Sequence, residues 1–328
     1  MRIALALCLM LFLPGCETTQ YYAQAIGGHL SIMRAARPVA EWLADPNTPA
    51  DLRRRLEVTR GIREFASREL SLPDNGSYHS YAELGRPYAA WNVYAAPEFS
   101  TEAKQECFPF TGCVSYRGFF KEADARRHAE KLRLEGNDVY VGGVPAYSTL
   151  GWFDDPLLSS FIRYPEPQLA RLLFHELAHQ QVYARDDTTF NESFAVAVEE
   201  EGVRRWLHAQ GRDGELAAFR TAQARKRELA ARVEAMRKRL SEVYKADLPV
   251  EEKKRLKAAE FAKLRAEYGN FTPAEPNNAF LVSISVYTQY VPGFERLLAH
   301  SNGDLKDFYR RVSELANAGK KAREAELK

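Results

Sequence analysis

The chain has 328 residues, of which 45% are hydrophobic and 27% are charged, and its formal net charge is +2. These values are those of an ordinary globular protein, so they exclude a chain that is disordered throughout. A nearly neutral protein also lacks the electrostatic footprint of nucleic-acid binding, so we expect no nucleic-acid partner.

The first residues, 1–15, predict a signal peptide rather than part of the fold. Arg2 precedes an apolar run over residues 3–13, which is too short to span a bilayer, since a span needs about 20 residues. The run leads into Leu-Pro-Gly-Cys16, which resembles the lipobox of bacterial lipoproteins and implies cleavage before Cys16 and a lipid on that cysteine. The alternative is an ordinary signal peptide with a coincidental cysteine.

A lipid on Cys16 would tether the mature chain to a membrane, so we expect a cell-envelope lipoprotein that faces the periplasm. Glu17 follows the cysteine in place of the aspartate that often marks inner-membrane retention, which favours the outer membrane. Of the four cysteines, Cys8 leaves with the signal, and Cys107 and Cys113 remain as a pair. Two such cysteines in an exported domain predict a local disulfide.

Residues 16–87 are predicted to contain the lipid anchor, a tether and N-terminal helices. Thr48-Pro49-Ala50-Asp51 predicts a helix start, with Thr48 as N-cap and Pro49 at the first helical position. Apolar residues then recur at helical spacing as far as Ala66.

A sheet-rich subdomain follows over residues 88–164. Short runs rich in aromatic and β-branched residues predict its strands, at 88–94, 113–120, 138–141 and 147–152. A helix over residues 121–135 lies among them, and Gly136 ends it in the usual C-terminal manner.

From Pro165 the pattern is helical almost to the end of the chain. Residues 165–211 predict two consecutive helices, and residues 269–328 predict a last group of helices. Between them, the charged insert 212–268 predicts a projecting helical hairpin with a coiled-coil seam, at Leu229, Val233, Met236, Leu240 and Val243. This hairpin is either a surface for a protein partner or a solvated support without one.

The most informative motif is His175-Glu176-Leu-Ala-His179. Positions i and i+4 of a helix lie on one face, so both imidazoles can reach one metal ion, with Glu176 beside them as general base. The flanking residues are apolar on nearly every side, which predicts a buried helix. Buried His and Glu side chains are costly unless paired, and a metal pairs them at once. The alternative is two core histidines that bond backbone carbonyls.

A catalytic zinc needs a third protein ligand and an open position. Glu192, near the start of the next predicted helix, is the candidate for this ligand. Thr189-x-x-Glu192 also fits a capping box, in which the glutamate reaches back to the helix start. The sequence leaves both roles open.

These motifs together resemble a known class of enzyme. His-Glu-x-x-His followed by Asn191-Glu192-x-Phe194-Ala195-x-x-x-Glu199 is similar to the gluzincin metallopeptidases, especially the alanyl-aminopeptidase branch, although that branch has a longer connection between the two motifs. A closer resemblance, to a bacterial family of predicted zinc aminopeptidases, rests on segments throughout the mature chain, at 91–97, 107–118, 146–156, 174–180, 190–195 and 276–279. It implies one zinc ion and a peptide or protein substrate.

Several further residues are candidates around this centre. Glu199 lies two helical turns after Glu192 and could orient a histidine, together with Asn191, or it could be a surface acid. Tyr287 and Tyr290 follow in an apolar helix; either could stabilise an oxyanion, and we assign Tyr287 to the site.

The segment before the motif predicts substrate contacts. In gluzincins an edge strand at this place pairs with the substrate backbone, so the resemblance assigns the strand 147–152, with Tyr147 and Gly151, to that role. Asp154 and Asp155 could anchor a substrate amine, and the alternative is a turn before Pro156.

The sequence as a whole predicts an α+β, zincin-like fold with a small mixed sheet, an active-site helix and a mostly helical C-terminal half. The resemblance implies a zinc-dependent peptidase, an aminopeptidase, and the alternative is an envelope endopeptidase. The alternative from another functional class is a scaffold lipoprotein with a structural zinc site. In such a site a fourth protein residue would bind the zinc ion.

Overall fold

A computed structural model describes residues 16–108, 112–146 and 148–328. The predicted signal segment 1–15 and Tyr147 lie outside the described residues, as does the side chain of Cys16. The fold is α+β with small sheets, which confirms the predicted class. No helix in the part of the chain that is described combines the length and apolar character needed to cross a bilayer.

The N-terminal half contains short strands between helices. Its elements are α1 (Cys16–Ala35), β1 (Ala36–Pro38), α2 (Val39–Ala44), α3 (Ala50–Arg68), β2 (Ser80–Ala82), β3 (Ala90–Pro97), β4 (Glu106–Phe108), β5 (Gly112–Val114), β6 (Arg117–Phe119), α4 (Glu122–Leu134), β7 (Asn137–Val144) and β8 (Leu157–Leu158). The prediction for the start of α3 was wrong by one residue. Pro49 is the N-cap, and the Thr48 hydroxyl donates to the Trp42 carbonyl at 2.6 Å.

The C-terminal half is helical, as predicted. It contains α5 (Glu166–Gln181), α6 (Thr188–Ala209), α7 (Asp213–Lys245), α8 (Val250–Tyr268), a 3₁₀ turn (Gly269–Phe271), α9 (Asn278–Thr288), α10 (Val291–His300), α11 (Leu305–Ala316) and α12 (Lys320–Leu327).

The central strand β3 is buried on both faces. It pairs antiparallel with β6 on one side and β7 on the other. Because alternate residues of a strand point to opposite faces, Trp91 and Val93 pack with α4, whereas Tyr94 and Ala96 pack with α9. This explains why the strand has apolar side chains on both faces rather than on alternate positions alone. A second small sheet has the order β1-β2-β8.

The cysteine pair forms a disulfide across the hairpin β4–β5, where Cys107 and Cys113 are register partners. This hairpin contacts the loop before α6. The backbone N–H of Cys113 donates to Asp186 Oδ1 at 2.6 Å, and that of Ser115 donates to the Thr188 hydroxyl at 3.3 Å. The disulfide therefore braces the entry to α6.

The strand predicted over residues 147–152 is absent, since the described residues 148–153 form a turn. Leu150 and Gly151 both have positive φ, 57° and 80°, which a strand does not tolerate. Asp155 Oδ2 accepts from the Thr149 backbone N–H at 2.9 Å and holds the turn. The run is rich in strand-forming residues, but this local hydrogen bonding outweighs that preference.

The hairpin α7–α8 packs along the body instead of projecting freely. Its seam residues Val233, Met236 and Leu240 share a buried cluster with Phe280 and Leu281 of α9. An apolar seam of this kind has to be covered, and α9 covers it in the same chain.

Candidate metal centre

The helix α5 carries the His-Glu-x-x-His motif in the interior. All residues from Leu172 to His179 are buried, as the apolar pattern around the motif predicts. The neighbouring helix α6 packs closely against it. A Cβ at Gly202 of α6 would lie only 2.6 Å from the Phe174 ring, so the missing side chain permits the approach that brings the two helices' polar residues together.

Three potential ligand atoms converge between the two helices. His175 Nε2 lies 3.2 Å from His179 Nε2 and 3.2 Å from Glu192 Oε2, and His179 Nε2 lies 3.6 Å from the same oxygen. Ligands about 2.0–2.1 Å from a tetrahedral zinc ion lie about 3.3 Å from one another. The three residues therefore fit one such ion, and they form the group that could hold a metal among the described residues.

The capping alternative for Glu192 is not what the structure contains. α6 begins at Thr188, and the side chain of Asp187 is its N-cap, accepting from the Phe190 backbone N–H at 3.1 Å. The helix therefore starts before the predicted cap, so Glu192 does not stand at the third helical position that a capping box needs, and its carboxylate faces the two imidazoles. Arg323 of the last helix in turn donates to Asp187 at 2.8 Å.

Glu199 lies behind the first histidine. Its Oε2 is 2.9 Å from His175 Nδ1, and its carboxylate also pairs with Arg171 at 2.6 Å. A carboxylate can only accept, so Nδ1 donates and Nε2 is the nitrogen that faces His179 and Glu192. Glu199 is only 2% exposed, which excludes the surface acid.

The charges in this cluster favour a cation at its centre. Burial lowers the pKa of His175, but the bonds to Glu192 and Glu199 outweigh burial and raise this pKa to about 10. Burial raises the pKa of Glu192, but the charges of His179 and His175 outweigh burial and lower it to about 2. A proton or a metal ion can supply the positive charge that this arrangement attracts.

Glu176 is buried beside the ligand group but bonds none of it. Burial raises the pKa of its carboxyl, an effect that the nearby histidines only partly oppose. A carboxylate with a raised pKa is a better proton acceptor near neutral pH than an exposed one.

Phenol groups cover the centre from the side of the sheet. The Tyr287 ring centroid lies 6.3 Å from that of His175, and the Tyr116 hydroxyl donates to Glu192 Oε1 at 3.5 Å. Burial and the charge of Glu192 raise the pKa of both phenols well above 10, so both remain proton donors. Tyr94 of β3 bonds Tyr287 and holds it in place.

A cavity of about 1430 Å³ opens onto this centre. His175, Glu176 and Glu192 line this cavity, and helix α7 of the hairpin forms one wall with residues including Lys226. Tyr21 of α1 also lines it. The hairpin therefore shapes the space in front of the candidate metal centre.

Other predicted site residues have different roles. Asn191 bonds the backbone of Ala184 through its amide group, at 2.7 and 2.8 Å, and so positions the loop between α5 and α6 rather than a histidine. Gly151 and Asp154 belong to the turn and do not line the cavity, so the structure does not bring them to the centre. Tyr290 is buried away from the centre, with Asp187 and Glu324 nearby.

Sequence reasoning missed two residues that contact the centre. Arg171 precedes His175 by one helical turn, and this i, i+4 spacing was the signal available for it. Tyr116 comes from the segment between β5 and β6, and no local pattern could place it against Glu192.

A family model described as "Putative aminopeptidase" matches residues 20–327 of the chain. No curated protein and no solved structure gives a significant match.

Proposed function

Because the chain belongs to this family of putative aminopeptidases, we propose that it is a zinc metallopeptidase that removes residues from the amino ends of peptides. The observation that carries the proposal is the spacing of His175, His179 and Glu192, which matches the edges of a tetrahedral zinc site, with Glu176 buried beside it. The ligand set and the general base are those of the gluzincin class that the sequence resembles.

His175, His179 and Glu192 would hold one zinc ion, which when bound supplies a Lewis acid for the scissile carbonyl and for a water. Glu176 accepts the proton of the attacking water and passes it to the leaving amine, and its raised pKa suits both steps. Tyr287 donates to the carbonyl oxygen as that oxygen becomes negative. Glu199 keeps His175 in the orientation that binds metal.

We further propose that the enzyme acts in the cell envelope, on the periplasmic face of the outer membrane, with a lipid on Cys16 as its anchor. The lipobox-like sequence and the disulfide in the folded chain support this location.

A structural zinc site in a non-catalytic scaffold is less consistent with the geometry. Such a site has four protein ligands, whereas the group found in the described part of the chain has three and faces a cavity. An endopeptidase would use the same centre, but it would not require a free amino terminus on its substrate.

The test combines zinc analysis with cleavage of matched peptides that have a free or an acetylated amino terminus. Wild type is expected to bind one zinc ion and to cleave only the free form. Glu176→Gln should keep the zinc and lose activity by at least about 100-fold, because the amide cannot accept the proton. Glu57→Gln, an exposed acid of α3, is the matched control.

Full activity in zinc-loaded Glu176→Gln would overturn the general-base role. Equal cleavage of the free and acetylated peptides would make the enzyme an endopeptidase.

A further inference from the structure

One wall of the cavity carries side chains at helical spacing from α7, including Gln223, Lys226, Arg227, Glu234 and Lys238. This charged insert therefore faces the space in which a substrate would lie. Only a charged side chain of this wall that is not already paired can bind a charged group of the substrate.

Most charges on and near this wall are paired. Arg227 donates to Glu200 and, at 2.7 Å, to Glu295. Glu234 pairs with Lys238 at 3.8 Å. Lys226 differs: its ammonium group makes no hydrogen bond or ion pair with any residue of the described chain.

The carboxylates closest to Lys226 are already engaged. Glu199 accepts from Arg171 and from His175, and Glu200 accepts from Arg227 and from Gln223 at 3.0 Å.

Lys226 is exposed at the surface, and the atoms packed around its ammonium group partly desolvate it and lower its pKa. The charge of Arg171 lowers this pKa further, while Glu199 and Glu200 oppose the shift. Among the cations Arg171, Lys226 and Arg227, Lys226 has no ion-pair partner in the described chain.

We propose that Lys226 binds a carboxylate group of the peptide substrate, an inference that rests on the proposed peptidase function. A carboxylate is the anion that peptides carry, and an unpaired ammonium on the wall of the cavity binds it by a charge-assisted hydrogen bond. The carboxylate is either the α-carboxylate of a short peptide or the side chain of an acidic residue. The enzyme then prefers short or acidic peptides.

The experiment measures peptide binding by calorimetry in the Glu176→Gln background, which holds peptides without turnover. The probes are one short peptide in four forms, with a free or amidated carboxyl terminus and with Glu or Gln as an internal side chain. Lys226→Gln is the test variant. Lys245→Gln, from the exposed end of the same helix and outside the cavity, is the matched control.

Lys226→Gln should weaken binding of the carboxylate form by about tenfold or more, as expected for a hydrogen bond to a charged group, and should leave the amide form unchanged. Loss of the preference for the free terminus identifies the α-carboxylate, and loss of the preference for Glu identifies the side chain. Equal effects on all four peptides, or none, would overturn the proposal.

Hydrolysis by wild type is measured separately. Peptide binding that depends on Lys226, without any hydrolysis, supports the carboxylate site and contradicts the peptidase function. If wild type hydrolyses peptides but its preference for a carboxylate does not depend on Lys226, the carboxylate site is contradicted and the peptidase function is not. Absence of binding for every peptide overturns the carboxylate site as well.

Discussion

Glu192 joins the two helices of the candidate metal centre. His175 and His179 both belong to α5, so the third ligand atom depends on one carboxylate of α6 that lies 3.2 and 3.6 Å from them. Removal of this carboxylate leaves two ligands and an incomplete tetrahedral site.

Glu192→Ala is therefore expected to lower zinc affinity by orders of magnitude, as measured by competition with a chelating dye. Glu199→Ala removes only the partner of His175 Nδ1 and should lower affinity by about 10- to 100-fold. The assignment is wrong if Glu192→Ala binds zinc normally while Glu199→Ala does not.

Another buried carboxylate, Asp155, is 1% exposed and belongs to the turn found in place of the predicted strand. Its Oδ2 accepts from Thr149, and its Oδ1 has no partner in the described structure. Burial raises its pKa to about 7, because a charged carboxylate with one unbonded oxygen is costly in the interior.

The raised pKa of Asp155 predicts how stability depends on pH. The folded state holds a proton that the unfolded state releases near pH 4, so this contribution to stability falls between about pH 4 and 7 and then stays constant. Between pH 5 and 8, the titration of Asp155 should lower the free energy of unfolding of wild type by about 2–3 kcal/mol, as measured by urea unfolding. Asp155→Asn should not show this decrease. The exposed neighbour variant Asp154→Asn should retain it. An identical pH dependence in wild type and Asp155→Asn would refute the shift.

At the scale of elements, the close contact of α5 and α6 decides whether the site exists. Glycine within a helix is unfavourable, yet Gly202 stands in the middle of α6, where Phe174 and Leu70 occupy the space of a side chain. Gly61 of α3 offers a contrast, since its nearest contact would be Trp206 at 3.7 Å.

Gly202→Ala should destabilise the protein by about 1–2 kcal/mol despite the better helix propensity of alanine, because overpacking costs more than that gain. It should also weaken zinc binding by moving Glu192 away from the histidines. Gly61→Ala should instead be neutral or stabilising. Thermal unfolding and zinc titration of both variants test this, and equal stabilisation of both would show that the helices can separate freely.

At the scale of the whole molecule, the centre connects distant parts of the chain. α5 and α6 supply the ligand group, the segment between β5 and β6 and helix α9 supply the phenols, and α7 supplies one wall of the cavity. A metal that binds the folded state alone therefore stabilises all of these parts together.

Zinc at about 100 times its dissociation constant should add about 2.7 kcal/mol to the free energy of unfolding, which raises Tm by several degrees. A chelator should reverse the shift, and Glu192→Ala should show none. Calorimetry of wild type with and without zinc makes the measurement. A wild-type Tm that does not change with zinc would contradict a metal held by these residues in the folded state.

The sequence by itself determined the features that depend on neighbours along the chain. The spacing of His175 and His179 places them on one helix face, and the apolar pattern around them predicts a buried helix, which the structure confirms. The closeness of Cys107 and Cys113 likewise predicted the disulfide that joins β4 and β5.

Only the tertiary structure decided the features that depend on which segments meet. The sequence of Glu192 and its neighbours fits both a cap and a ligand, and in the structure Asp187 holds the cap. Residues 148–152 form a turn because Asp155 bonds Thr149, against their strand preference. Tyr116 and Lys226 reach the centre and its cavity from other elements. Packing, burial and hydrogen bonding between segments set these outcomes, and no periodicity within one segment records them.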